Sequence, residues 1–383
     1  MSKSSMSVMS KNVLSVVAMA MGSIVLDSED AFAKTVAVGP ASCQPGVQHY
    51  ATIQAAVNAL ASVSAANIIN VCPGTYPEQI TITQPTLTIK GVADGTAALT
   101  LITVPAEGLV PNVTAGFGAV AAQIGATAAL GTKLINLTVD GTGATCGAGV
   151  RGAGVALVNI GDKTSGTSAG TITNVVVRNQ LGAGCASDGI LSDNSYVAIT
   201  GSIVHDVTEH CIRQIKGEAN INNNAVRSCT LSGIWLDGTT AATVANNVLF
   251  NNTWGIKLLD TVDCTVSTNT VGPWVGTAIY VINGVNTGVV SNKVKEAHFG
   301  IWVNNSKGSI VRLNSVQTIT TIAIADVDTL GNNTFTNNTI TEAKYGFYTF
   351  NFPVAIPDTL EPNTFQNVVQ TIFVGSPTNP FPW

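Results

Sequence analysis

A dipeptide of one small residue followed by Ile recurs through the second half of the chain. It stands at Gly189-Ile190, Cys211-Ile212, Gly233-Ile234, Gly255-Ile256, Ala278-Ile279, Gly300-Ile301 and Ala323-Ile324, and closes with Gly346-Phe347. The spacings are 22, 22, 22, 23, 22, 23 and 23 residues. A second track, Asn followed two places later by an apolar residue, runs in step at Asn224, Asn246, Asn269, Asn292, Asn314 and Asn338. Two tracks with one period require a coil whose turns stack. The repeats hold short alternating runs such as Gly233-Ile234-Trp235-Leu236-Asp237-Gly238, bounded by Asn and Gly, so the stacked units are strands rather than helix pairs. Each rung then pairs with the next at ~4.8 Å, apolar residues at matching positions form an interior column, and the Asn track forms a ladder of bonded side-chain amides. The expected fold is all-β, a single-stranded right-handed parallel β-helix with rungs of about 22 residues.

The rest of the chain divides around this coil. Ile80-Thr81-Ile82, Leu87-Thr88-Ile89, Leu134 to Val139 and Val155 to Val158 continue the strand pattern with a blurred period, whereas the Gly/Ala-rich stretches 105–131, 140–154 and 161–170 read as loops inserted between rungs. A solenoid must cover its open ends. Ile53, Ala56, Val57 and Leu60 share one helical face, which predicts a capping helix within residues 34–66, ahead of a β-helix over 67–350 and a C-terminal cap or tail over 351–383. At the start, Lys3 and Lys11 precede an apolar run from Val13 to Leu26, and Ala31-Phe32-Ala33 offers a small-residue cleavage pattern. Residues 1–33 therefore read as a signal peptide, placing the mature chain in a secreted, periplasmic or cell-surface setting. No segment is long and apolar enough to span a membrane comfortably.

Charged residues make up only 10% of the chain, and a net charge of −5 without basic clusters argues against nucleic acid as a partner. All seven cysteines follow the expected cleavage point, so disulfides are expected, with Cys43 paired to Cys72 at the N-terminal cap and Cys146 to Cys185. The odd count leaves at least one thiol free. No spacing of Cys and His suggests zinc.

The predicted cap helix, followed by Ile69-Asn70-Val71-Cys72-Pro73-Gly74-Thr75-Tyr76-Pro77-Glu78-Gln79-Ile80 and then Leu87-Thr88-Ile89-Lys90-Gly91, resembles the opening of pectin-lyase-like β-helix proteins. The later Asn-rich rungs resemble repeats of periplasmic copper-site maturation proteins and of carbohydrate-binding and sugar-hydrolase β-helices. The resemblance covers nearly the whole mature chain and implies the fold more than an activity. The Asp-Phe-Ile-Phe-Gly of pectin methylesterases, the Gly-His-Gly and Asp-Asp of polygalacturonases and the Asp-Pro-His-Asp of alginate epimerases are missing. Trp235-Leu236-Asp237-Gly238 is similar to the Trp-Ile-Asp-His of pectate lyases, with Gly in place of His, and the Arg-x-Pro-x-x-Arg of those lyases is absent.

Strand alternation identifies the outward residues. With Ile inward, the next position reads Leu191, Arg213, Trp235, Lys257, Tyr280, Trp302, Ala325 and Tyr348 over successive rungs. Two places further stand Asp193, Ile215, Asp237, Leu259, Ile282, Asn304, Val327 and Phe350. Sugars stack on aromatic rings and uronate carboxylates pair with cations, so Trp235, Tyr280, Trp302 and Asn304 are the expected contacts for a polysaccharide, uronate-containing or neutral, lying along the axis. The same stripe equally fits aromatics lying beneath inserted loops or serving β-propensity. For chemistry the candidates are Asp193, His210, Arg213, Asp237 and Lys257, with Asp188 and Glu209 close by. Asp193 and Asp237, two rungs apart at ~9.6 Å, would suit an inverting hydrolase. A lyase would take a proton with Arg213, Lys257 or His210 while Asp oxygens held Ca²⁺, the one cofactor the pattern suggests. The competing expectation is a non-catalytic surface, adhesive or accessory protein in which these groups form cross-rung ion pairs. A monomer is expected in the polysaccharide-binding case. His49, His205 and His298 are scattered and carry no role.

Overall fold

The structure, a computed structural model, describes residues 32–62, 65–92, 99–163, 166–182, 185–273, 276–328, 330–350, 358–360 and 362–374. The leader expected over 1–33 lies outside these residues but for Phe32 and Ala33. Residues of the sequence twenty-two or twenty-three apart are paired neighbours: Ile212 lies opposite Ile190 and Ile234, Ile234 opposite Ile256, and the series runs on through Ile279, Ile301 and Ile324 to Phe347, with Ile372 added after a longer step. All strand pairings are parallel except one hairpin, Val113–Ala115 against Gly118–Thr127.

Three parallel sheets wrap one core. The first face is built from Gly118–Thr127, Arg151–Val158, the start of Ser187–Thr200 and of Ile212–Asn222, then Ser232–Asp237, Trp254–Leu259 and Thr277–Ile282, continuing to Gln370–Val374. The corner at the small-residue–Ile dipeptide turns two consecutive residues inward. A Cβ on Gly233 would meet Leu249 Cδ2 and the Gly255 carbonyl, each at 2.9 Å, so this rung takes Gly, and the track is confined to small residues, with Ala278, Ala323 and Cys211 on other rungs. The next corner takes left-handed residues, Asn194, Asp260, Asn283 and Asn305 among them, with Lys216 and Gly217 both left-handed on one rung; Asn and Asp tolerate this conformation better than other non-glycine residues. From Ile190 to Ile324 each Ile of the interior column is at most 1% exposed, whereas Ile372 on the last rung is 42% exposed; a side chain so buried contributes about 1.5–3 kcal/mol by leaving water.

The ladder forms with one change of member. Asn224, Asn247, Asn269, Asn292, Asn314, Asn338 and Asn363 each accept, on the amide oxygen, the backbone and side-chain N–H groups of the preceding Asn, the first taking only the Ser202 N–H. Asn247, not Asn246, occupies the buried place. Asn246 takes the left-handed corner at φ 55°, as Asn223 and Asn337 do one place before the ladder residues Asn224 and Asn338.

At the N-terminal end the helix Ile53–Ala59 buries Ile53, Ala56 and Val57 over the first rung. Thr52 accepts the Ala55 N–H, and the Glu78 carboxylate accepts those of Ile53 and Gln54 at 2.9 and 3.0 Å, satisfying donors that a helix start leaves open. The coil begins earlier and ends later than the division at 67 and 350: Thr35–Val38 pairs with Ile68–Val71, and Thr364–Gln366 and Gln370–Val374 add a rung beyond Phe350. The remainder of the expected tail, 375–383, lies outside the described residues. Cys43–Cys72 and Cys146–Cys185 are disulfides, joined by Cys211–Cys229, and Cys264 is a buried free thiol. Among the described residues no helix is long and apolar enough to cross a membrane.

The Gly/Ala-rich stretches 105–131 and 140–154 are only partly loops. Gly118–Thr127 and Arg151–Val158 are strands of the first face. Their small residues reflect what lies on top: the hairpin strand Val113–Ala115 folds back over the outward side, and a Cβ on Gly125 would come within 2.7 Å of Val113 Cγ1 and 2.8 Å of Asn112 Nδ2.

Candidate functional site

The outward column of the first face falls into three parts. Ala156 and Leu191 are fully buried and Arg213 is 9% exposed; Trp235, Lys257 and Tyr280 are half-buried; Trp302 is 9% exposed and Ala325 and Tyr348 are fully buried. The three central rungs are thus the open ones.

The hairpin covers the first part. Its tip, Gly116-Phe117, lies over the two arginines, with the Phe117 ring 4.8 Å from the Arg213 guanidinium carbon and 5.2 Å from that of Arg151. The Arg213 guanidinium carbon also lies 4.4 Å from the Trp235 ring. Asp193 holds the tip by accepting the Gly116 N–H and is only 4% exposed. Ile215 stands between Asp193 and Asp237 in the register, so the two carboxylates share a column but not an open space.

Beneath the hairpin lies a buried charge network. Asp188, fully buried, has Oδ2 3.5 Å from Arg151 Nη2 and 3.6 Å from Arg213 Nη1, and Arg151 also pairs with Glu209. Burial pushes the Asp188 carboxyl up, while the Arg213 and Arg151 guanidiniums pull against it. Burial likewise lowers Arg213, with Asp188 opposing. His210 packs on Trp235 at 4.4 Å between ring centroids, and its Nδ1 accepts the Ser232 N–H at 3.3 Å. Burial first, then Arg213, Arg151 and Lys257, lower its pKa to about 2, so the ring is neutral. Asp188, Glu209 and His210 bring one ligand atom each within 4.8 Å of one another, the sole such trio among the described residues. Two guanidiniums already neutralise its acids, so the trio fits an ion-pair network and not a Ca²⁺ site.

The open stretch carries different chemistry. Lys257 Nζ sits 5.1 Å from the Trp235 ring centroid and 4.7 Å from that of Trp254, which precedes the Gly-Ile corner and faces outward beside Ser232 and Thr277. Burial lowers the Lys257 ammonium pKa against the pull of Asp237. Burial raises the Asp237 carboxyl, with Arg213 opposing and Asp260 adding to the rise. Tyr280 meets Trp302 edge-on at 6.3 Å, and Leu259, Ile282 and Asn304 complete a half-buried floor. Trp302 itself belongs to the covered end, packed on Phe299 at 4.8 Å.

The structure therefore brings Trp235, Asp237, Lys257 and Tyr280 together on one accessible surface and places Asn304 at its edge. Asp193 and Arg213 lie beneath the hairpin, and His210 is buried against Trp235. Arg151, Phe117 and Trp254 are partners that the repeat did not single out. Separately, a cleft of about 500 Å³ opens at the adjoining corner among Asn159, Asp162, Asn194, Tyr196 and Glu218, with Lys163 Nζ 3.5 Å from Glu218 Oε2.

The family described as Right handed beta helix region matches residues 123–272 and 232–379. No curated protein matches the chain. Among solved structures, the GH136 lacto-N-biosidase from Eubacterium ramulus is similar with a TM-score of 0.60 at 12% identity, over 87% of this chain and 68% of that one. The A-module of the Azotobacter vinelandii mannuronan C-5 epimerase AlgE4 gives a TM-score of 0.50 at 16% identity, over 85% and 93%. Likeness at such identity is a likeness of fold. The two matched stretches span well over half of the sequence and contain every rung of the open surface, and the chain belongs to the right-handed β-helix family.

Proposed function

We propose that this protein binds an extracellular polysaccharide on the open stretch of its first face, with Trp235 and Tyr280 as stacking platforms and Lys257 as the cation that meets a uronate carboxylate. The observation that carries this reading is the half-buried run Trp235, Lys257 and Tyr280 between two covered ends. A ring half exposed and held by neighbours on both sides is ready to stack at little ordering cost. The solved β-helix structures of similar fold include proteins named for glycan chemistry, which accords with this reading.

Cleavage at the same place would fall to Asp237 and Lys257, whose pKa values are shifted toward each other's range by burial, a raised acid beside a lowered base. The pair Asp193 and Asp237 does not serve, because Asp193 is spent on the hairpin. That covering of Asp193 and Arg213 favours the second reading, a non-catalytic glycan-binding or surface protein in which the buried network only braces the fold.

The test is a screen of polygalacturonate, pectate, alginate and neutral plant and bacterial glycans, reading affinity and new reducing or unsaturated ends. Binding that drops about tenfold in Trp235→Ala, equivalent to about 1.4 kcal/mol, supports the proposal. No affinity for any of these, or a Trp235→Ala variant equal to wild type, overturns it. New chain ends that vanish in both Asp237→Asn and Lys257→Met separate an enzyme from a binder.

A further inference from the structure

The two ends of the open stretch differ: a hairpin stands over one, and the outward column is buried at the other. On the N-terminal side the Phe117 ring, itself 38% exposed, stands over Arg213 and Arg151 at the tip of the antiparallel hairpin, whose Gly116 N–H donates to the Asp193 carboxylate. On the C-terminal side the outward column is fully buried from Ile322 and Ala325 to Tyr348, whose ring stacks on Phe373 at 5.6 Å. Between them, among the described residues, the outward column is accessible at Trp235, Lys257 and Tyr280. Three rungs at ~4.8 Å give a floor of ~14 Å, the length of two or three linked sugar rings.

Resting on the binding function proposed above, we infer that the surface recognises a short oligosaccharide or the end of a glycan chain, two or three units deep, and that Phe117 sets where that end stops. A long polymer laid along the axis meets the hairpin at one end, and at the other it runs onto rungs whose outward column is buried and offers no ring to stack on. Its interior would therefore gain nothing beyond the units that lie on the open rungs. Phe117 contributes a ring face at the terminal position, braced from below by the Arg213 guanidinium, so it is a specificity residue and not part of the floor. The charge below it is already paired through Asp188, which leaves Lys257 as the cation for a carboxylate on the second or third unit.

Calorimetric titration of the full-length mature chain with oligogalacturonides, alginate oligosaccharides and cello-oligosaccharides of two to eight units, each beside its parent polymer, tests this. The expected result is an affinity that climbs to three units and changes less than twofold beyond, with polymer occupancy proportional to the concentration of chain ends. In Phe117→Ala, folded by circular dichroism, the plateau moves to longer oligomers while Trp235→Ala weakens every length alike. An affinity that keeps climbing through six or more units, or polymer occupancy proportional to total sugar, overturns the end-recognition inference and leaves the binding function standing. Absence of affinity for every probe overturns both.

Discussion

Replacing Asn292 with Ala removes the middle of the amide ladder. Its Oδ1 accepts the Asn269 backbone N–H and the Asn269 Nδ2, each at 3.0 Å, while its Nδ2 donates to the Val266 carbonyl at 2.9 Å and to Asn314 Oδ1 at 3.1 Å. Four hydrogen bonds go, at about 1 kcal/mol net each, and the buried Asn269 N–H loses its acceptor, which adds about 1–3 kcal/mol. The expected cost is about 5–7 kcal/mol, reduced to the extent that water reaches the gap. The control is Asn305→Ala, an exposed corner residue whose Nδ2 donates to Asn283 Oδ1 at 2.7 Å; the lost bond together with Ala in a left-handed corner should cost about 2 kcal/mol. Urea unfolding read by far-ultraviolet circular dichroism and by tryptophan fluorescence measures both, and coincident curves check that one transition is being followed. A loss below about 1.5 kcal/mol in Asn292→Ala, or one no larger than in Asn305→Ala, would refute the reasoning that the ladder is a principal brace of the coil.

Three further outcomes are expected. His210 is held neutral, with its pKa lowered to about 2, so below about 6.5 the unfolded chain takes up a proton the folded chain refuses; stability should fall with pH by up to about 1.4 kcal/mol per unit, a slope absent in His210→Gln. The raised Asp188 carboxyl acts in the opposite sense at lower pH, which is why the wild-type and variant slopes are compared rather than the wild type alone. Asp193→Ala frees the Gly116 N–H, and limited proteolysis should then cut the 113–120 hairpin while the core strands keep their hydrogen-exchange protection; unchanged cleavage would show that the tip does not depend on this carboxylate. Gly125→Ala sets a methyl against Val113 and Asn112 and should cost about 1–3 kcal/mol in thermal or urea unfolding.

The coil was legible because its signal is a period: Ile212, Ile234 and Ile256 must be alike to stack, so the sequence repeats what the structure stacks. The outward column was legible for the same reason, since alternation from a fixed Ile places Arg213, Trp235 and Lys257 on one side. Two kinds of information escaped. Asn246 and Asn247 are both Asn because one supplies a left-handed corner and the other a ladder rung, and only the pairing tells them apart. The landing place of the hairpin is not periodic at all. Phe117 meets Arg213 through a fold-back between Val113 and Val120, and the only trace in the sequence is a run of Gly and Ala whose smallness makes room for it. Accessibility followed the same rule. Arg213 and Lys257 look equivalent along the repeat, yet one is roofed and the other is not.

That roof is a separable part. The hairpin touches the coil through an outward side that contributes nothing to the interior column, so trimming residues 114–119 would leave Ile124, Val155, Ile190 and Ile212 stacked as before. The rungs it uncovers already carry charge and backbone in the right register. A chain of this kind can lengthen or shorten its docking floor by whole rungs through changes in a single excursion, keeping its scaffold fixed while the size of molecule it accepts is reset.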